Sequence, residues 1–384
     1  MSTLKVNTIN AATSGQAVAV DISNPRSFRN LVINGAMNIA QRGTSSTSTG
    51  YQTVDRFSTY HGGTDEAPTY SQADVSSGTT PYTLGFRKSF KITNGNQTGG
   101  ADAGDQLTFA YTFEAQDIAY SGWDYTSSSS YITLSFWIKS SVAQDFKCFL
   151  KTEDGTEKGY PFATGSLSAN TWTKVTKKIP GHSDLTFDNN TDKGFAITWS
   201  GFQGTDVTGS VTENAWMTWN SATRTANQTS TWYTTNDSTL EITGVQLEVG
   251  EYATDFEHRS YQDEFQRCLR YYFEIQADAK KFSYLNPLGH DGNTIEVMPV
   301  LPFNMRAAPT ATATGTIQAA KCHAGTTAYD VTLEGADFNA PGNTVITGHM
   351  WFDSTSGTPF SAGYFGRLNG TGSGASINFS AEIS

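Results

Sequence analysis

The residues in this chain best equipped for chemistry are three pairs of carboxylates, and none sits where chemistry would want it. Asp102 with Asp105, Asp65 with Glu66, and Glu153 with Asp154 could each supply the acid and the base of glycoside hydrolysis. That reaction needs one carboxyl in a pocket that raises its pKa. Each pair lies instead in a Gly-rich, turn-like segment, where acids face solvent or make Asx turns. Asp102 and Asp105 are also the residues a structural calcium would use, because turn carboxylates suit that ion. No D-x-D-x-D-G loop accompanies them, and no other cofactor is expected. The six histidines, at 61, 182, 258, 290, 323 and 349, have no H-x-x-x-H or H-E-x-x-H spacing to set two ligands on one face. A G-x-S-x-G elbow, a P-loop and a Rossmann fingerprint are all missing. The chain is not expected to be an enzyme.

Binding has better material. Sugars present flat C–H faces that stack on aromatic rings, while their hydroxyls need amide, carboxylate and backbone partners. Trp123 and Tyr125 stand in a Ser/Gly/Asp loop, residues 119–130, that is expected at the surface. Trp216, Trp219, Trp232 and Tyr233 stand in the Thr/Asn/Ser-rich stretch 201–239. Trp123, Tyr125, Trp216 and Trp219 are therefore the candidate carbohydrate contacts. The competing reading is that these tryptophans fill a core, the place expected for Trp137, Trp172 and Trp199.

The elements that must position them are strands. With 37% hydrophobic and only 16% charged residues, the surface must be rich in uncharged polar side chains. Aromatics at 12% argue against disorder, and 36 glycines suit many tight turns. Leu107, Phe109, Tyr111 and Phe113 alternate with Thr108, Ala110 and Thr112, the period of a strand with one buried face. Ile132, Leu134, Phe136 and Ile138 repeat the pattern, as do Phe195, Ile197 and Trp199. The alternation shifts at Gly244, from Leu240 and Ile242 to Val245, Leu247 and Val249, which predicts a β-bulge. Only one convincing helix is expected. Ser260 is its N-cap with Asp263 three residues on. Tyr261, Phe265, Leu269 and Tyr272 then share one face, a candidate oligomer interface.

The fold class is all-β. An extended arm (1–27) precedes a jelly-roll β-sandwich (28–258), a connecting helix (259–272) and a second, smaller β-sandwich (273–384). A chain of 384 residues has room for two cores without a disulfide or metal staple. Its three cysteines, Cys148, Cys268 and Cys322, are an odd, widely spaced set that suits a reducing compartment. The net charge of −11 argues against nucleic acid as a partner. Lys174, Lys177 and Lys178 read as the solvated face of an edge strand. No signal-peptide core or apolar run of membrane-spanning length is present, so membrane insertion is not expected.

Two motifs bracket the jelly roll. The opening runs Asn30-Leu31-Val32-Ile33-Asn34-Gly35, then Gln41-Arg42-Gly43; the closing runs Val245-Gln246-Leu247-Glu248-Val249-Gly250, then Ala253-Thr254-Asp255-Phe256-Glu257. Cys268-Leu269-Arg270-Tyr271-Tyr272 follows, and Met305-Arg306-Ala307-Ala308-Pro309-Thr310 later. This wording resembles bacteriophage tail-fibre and related virion proteins that carry a jelly roll of the carbohydrate-binding-module kind. The resemblance implies a virion component that forms a homotrimer; with the missing catalytic constellations and the free cysteines, the expectation is a non-enzymatic protein assembled in the host cytoplasm. The arm 1–27 would join it to other virion proteins, and host-surface glycan would be its external partner. A head-decorating protein without receptor binding and a surface-polysaccharide depolymerase are the alternatives. The missing β-helix repeats count against the depolymerase.

Overall fold

The computed structural model describes residues 29–277, 285, 287–321, 328–338, 345–355, 357, 359–360 and 366–383. The arm 1–27, Cys322 and His323 lie outside the described residues. The alternating segments fold as strands. In chain order they are β1 (Ser45–Ser46), β2 (Phe57–Gly62), β3 (Thr69–Asp74), β4 (Lys88–Thr93), β5 (Gln106–Glu114) and β6 (Tyr131–Ser140). Then come β7 (Lys147–Thr152), β8 (Lys158–Ala163), β9 (Thr173–Pro180), β10 (Lys193–Gln203), β11 (Met217–Thr218) and β12 (Thr239–Val249). Two short helices, α1 (Thr80–Thr83) and α2 (Ala115–Ala119), interrupt a region expected to have none. Pro81 in the first turn of α1 presets its φ for the helix.

These strands make two six-stranded sheets, ordered β1-β3-β4-β12-β6-β9 and β11-β8-β7-β10-β5-β2, that stack as the jelly roll. Phe90 and Phe136 of the first sheet meet Phe109 and Trp199 of the second, with ring centroids 5.0 Å and 5.7 Å apart. Lys174, Lys177 and Lys178 lie on β9, the expected edge strand. The bulge is where the alternation shifts. Thr243 pairs with Trp137 but Gln246 with Ser135, and Gly244 between them has φ +63°. A Cβ there would also run into the Phe86 ring at 2.6 Å.

The two bracketing motifs turn out to be one clasp. The Asn30 side chain donates to the Val245 carbonyl (3.1 Å) and accepts from the Leu247 amide (3.1 Å). The Val245 amide donates to the Gly35 carbonyl at 2.9 Å. Gly35 lies so close that any Cβ would drive into the Val245 carbonyl oxygen, so only glycine fits. Arg259 donates to the Asn30 and Val32 carbonyls and pairs with Glu264, which in turn accepts from the Asn34 amide (2.6 Å). The motif residues thus join the start of the sandwich to its last strand and to the helix beyond.

That helix, α3 (Tyr261–Leu269), is capped as expected: the Ser260 hydroxyl accepts from the Asp263 amide at 3.1 Å. It leads into β13 (Tyr272–Gln276), β14 (Leu288–Gly289), β15 (Thr294–Val297), β16 (Val300–Met305) and β17 (Thr310–Lys321). The chain continues through β18 (Ala328–Asp337), β19 (Val345–Thr347), β20 (His349–Ser354) and β21 (Gly366–Ser380). Seven of these form a sheet ordered β13-β21-β17-β18-β20-β15-β14, while β16 and β19 pair as a ribbon. Leu301 and Met305 of the ribbon share a core with Ile317, Phe352, Ile377 and Phe379. The expected second sandwich is therefore built from unequal layers.

The end of the chain then folds back. Ile383 is buried in the jelly-roll core, and Glu382 pairs with Arg42 and Arg56 of the jelly roll. Arg270 grips Glu114 with two bonds of 2.7 Å, and Tyr271 donates to the same carboxylate at 2.6 Å. Burial works to raise the Glu114 pKa, but these partners outweigh it and hold the group below its ordinary value.

Candidate functional site

Every residue of β5 and β10 that points away from the core near their middles is small. In the antiparallel register Lys151 of β7 lies opposite Ala196 of β10, which lies opposite Thr112 of β5. The next row along is Phe149, Thr198, Ala110 and Ser58. Thr108 and Tyr60 follow, then Gln203, Gln106 and Gly62. Large side chains stand only at the margins. The result is a groove of about 690 Å³ across the outer face of the sheet, within the size range of small-ligand sites.

Trp219 forms one wall. Its ring rests on Phe149 (centroids 5.1 Å apart) and on Gly159, with the Lys151 ammonium 5.2 Å from the ring centre. Tyr60, half exposed, and Tyr51 stand on the opposite side. Lys151 bonds Glu153 and Glu157, both at 2.9 Å, and Lys193 forms an ion pair with Glu153 at 3.0 Å. Burial would lower the Lys151 pKa, but its two carboxylates overcome this and hold it above its ordinary value. This end of the groove is electrically balanced. At the other end Arg224 donates to the Gln106 side-chain oxygen and the Ser221 carbonyl, both at 2.9 Å.

Of the four expected carbohydrate contacts, only Trp219 lines the groove. Trp123 is 3% exposed and packs against Phe187, so the expectation of a surface ring there is corrected. Tyr125 sets its edge on the same Phe187, centroids 4.9 Å apart. Trp216 is half buried against Tyr160 and donates its indole N–H to the Pro180 carbonyl at 2.7 Å. Its ring braces the sandwich. Trp232 and Tyr233, despite their polar neighbourhood, are fully buried. Trp199 is a core residue as expected, whereas Trp137 and Trp172 are half buried on the outer face of the first sheet.

The helix-face expectation also needs correcting. Leu269 is buried inside the chain's own fold, and Tyr272 belongs to β13, where the Arg42 guanidinium covers its ring at 3.6 Å. Apolar burial within one chain has consumed that half of the stripe. Tyr261, 63% exposed, is what the helix still offers a neighbour, while Phe265, stacked on it at 6.1 Å, is half buried against the jelly-roll core.

Five of the six paired carboxylates are held by backbone amides or lysines, while Asp102 is exposed. Asp65 accepts from the Gly99 amide (2.6 Å), Glu66 from Asn96 (2.7 Å), and Asp105 from Asp102 (2.8 Å). Asp154 accepts from the Asp188 amide at 3.0 Å. Among the described residues no group of three or more His, Cys, Asp or Glu converges as metal ligands would. Cys148 is buried in the core, which pushes its thiol pKa up to about 12, the inert state of a structural cysteine.

The groove was hidden from sequence reasoning because it arises from register. Thr108, Ala110 and Thr112 are visible as the small face of one strand. Their alignment with Ala196 and Thr198 is not. Two neighbouring strands with small outward faces would have been the signal.

No family model and no curated protein matches the chain. Among solved structures it aligns with the enzymatically active domain of bacteriophage CBA120 tailspike protein 4, at 12% identity and a TM-score of 0.29, over 58% of this chain and 21% of that one. It aligns also with the family 11 carbohydrate-binding module from Clostridium thermocellum in complex with a β-1,3-1,4-mixed-linked tetrasaccharide, at 12% identity and a TM-score of 0.24, over 53% of this chain and 95% of that one. A third is the N-terminal cellulose-binding domain of Cellulomonas fimi β-1,4-glucanase C, at 11% identity and a TM-score of 0.27, over 56% and 99%. The all-β, jelly-roll class stands on the chain's own sheets.

Proposed function

We propose that this chain is a non-enzymatic adhesion protein of a bacteriophage virion, most simply a tail fibre, which binds host-surface glycan in the groove between Trp219 and Tyr60. The observation that carries the binding half is the groove itself: a floor of Ala, Ser and Thr with an aromatic wall at each side. A sugar chain needs that combination, because a ring can lie flat on small side chains and stack its C–H face on an indole. The virion half rests on the bracketing motifs, with residues 1–27 as the attachment element. We read its action as non-enzymatic, a reading supported by Asp65, Glu66, Asp105, Glu153 and Asp154 being bonded to backbone amides or lysines. The test is to titrate the full chain with purified host-surface polysaccharide. Binding without release of reducing ends is expected. Release of reducing ends would replace this reading with the depolymerase.

The working form we infer is a homotrimer. Tyr261 on α3, with the outer edge of the half-buried Phe265 beside it, is the aromatic surface available to a neighbouring copy. Sedimentation of the full chain at micromolar concentration is expected to give a trimer, and Tyr261→Asp with Phe265→Asp to weaken it. A wild-type monomer under those conditions would end the trimer.

A further inference from the structure

The groove is unevenly charged along its length. Lys151 and Lys193 are neutralised by Glu153 and Glu157 at the Trp219 end. Arg224 differs. It is half buried, its two side-chain hydrogen bonds go to the neutral Gln106 oxygen and the Ser221 carbonyl, and no carboxylate among the described residues pairs with it. Burial lowers its pKa, with the Tyr60 hydroxyl working the other way. A desolvated guanidinium without an anion is a recognition element in waiting, since its flat fork matches a carboxylate.

A second observation points to the same end. Gln203 faces Gln106 across the β10–β5 pairing and lines the groove, yet it is 1% exposed and neither its amide nitrogen nor its amide oxygen has a partner. Buried amides are almost always hydrogen-bonded, so one left open beside an unpaired cation asks for a group that both donates and accepts. A sugar bearing a carboxylate and hydroxyls is such a group. The strand carrying Gln106 and the one carrying Phe149 are separated only by β10, a lateral distance of about 10 Å. Along the strands Gln106 lies four residues from Ala110, which shares a row with Phe149, about 13 Å more, so a run of several sugars is needed to span from Arg224 to the Trp219 ring.

We propose that the groove selects an acidic glycan: Arg224 binds the carboxylate of a uronic-acid-type sugar, Gln203 takes up an adjacent hydroxyl, and Trp219 stacks a ring farther along the chain. This rests on the groove being the glycan site, as proposed above. The test is calorimetric titration of the full chain with polygalacturonate, alginate and hyaluronate, each beside its carboxyl-reduced form, and with a neutral β-glucan. At least one acidic polymer is expected to bind, and reduction of its carboxyls to weaken binding about ten- to a hundredfold, the worth of one hydrogen-bonded charge. Arg224→Gln is expected to erase most of that difference between the acidic and the reduced polymer, and Arg224→Lys to restore part of it. The carboxyl-reduced ligands make the comparison on the wild-type chain, so a poorly folding variant does not decide the outcome. Equal binding of acidic and reduced forms, with Trp219→Ala still abolishing both, would overturn the acidic-sugar assignment and keep the groove. Binding to none of these polymers, or binding indifferent to Trp219→Ala, would overturn both.

Discussion

Replacing Glu382 with alanine is expected to cost about 3–5 kcal/mol of stability, the scale seen when one partner of a buried ion pair is removed. The size follows from what Glu382 leaves behind. Its carboxylate is 6% exposed and pairs with Arg56, 1% exposed, and with Arg42 at 3.2 Å. Arg56 is enclosed further by the Tyr271 ring, 3.4 Å from the guanidinium, and donates to the Thr112 carbonyl at 2.6 Å. Burial pulls its pKa down, but Glu382 and the surrounding tyrosine hydroxyls outweigh that and hold it well above the ordinary value, so it stays charged. Without Glu382 the jelly roll keeps a buried cation with no anion. Removing the charges together is a different matter. Arg56→Met combined with Glu382→Leu should recover most of the loss, because a buried pair replaced by apolar residues of similar size is often neutral. Chemical unfolding of the two variants separates the cases. A loss below about 1 kcal/mol for Glu382→Ala, the range of exposed pairs, would mean that the Glu382 pairing with Arg56 and Arg42 contributes little.

The Arg56–Glu382 pair also marks where a reading of the sequence stops. The strands were legible because each carries its own period: Leu107 to Phe113 became β5 and Ile132 to Ile138 became β6. The bulge at Gly244 and the Ser260 cap were legible for the same reason, since a phase shift and a capping box are local signals. Arg56 and Glu382 are 326 residues apart, and no local pattern couples them. Tryptophans failed in an instructive way. Ser, Gly and Asp around Trp123 describe a solvated backbone, but a single ring can still turn inward, as Trp123 does onto Phe187. The reverse holds for Trp219, whose neighbours are equally polar and whose ring stays at the rim of a groove. Composition places the loop; packing places the side chain.

Trp199 and Trp219 give the sharpest contrast that follows. Trp199 is 1% exposed, stacks on Phe109 at 5.2 Å with planes 10° apart, and meets Phe136 edge-on from the opposite sheet. Truncation to alanine opens a cavity between two sheets whose strands are tied by register and cannot close over it. Trp199→Ala is therefore expected to cost about 3–5 kcal/mol and to lower the melting temperature sharply. Trp219 follows the two-residue strand β11, and its ring covers Phe149 and Gly159 from outside. Its removal uncovers apolar surface without hollowing the core, so Trp219→Ala should cost about 1 kcal/mol, the common size for a point change outside the core. Its effect should fall instead on glycan binding, because it removes one aromatic wall of the groove. Thermal unfolding and polysaccharide titration, run on both variants, read the two roles apart. Should Trp219→Ala melt as early as Trp199→Ala, the indole is a structural wedge, and the aromatic wall would have to be sought at Tyr60 alone.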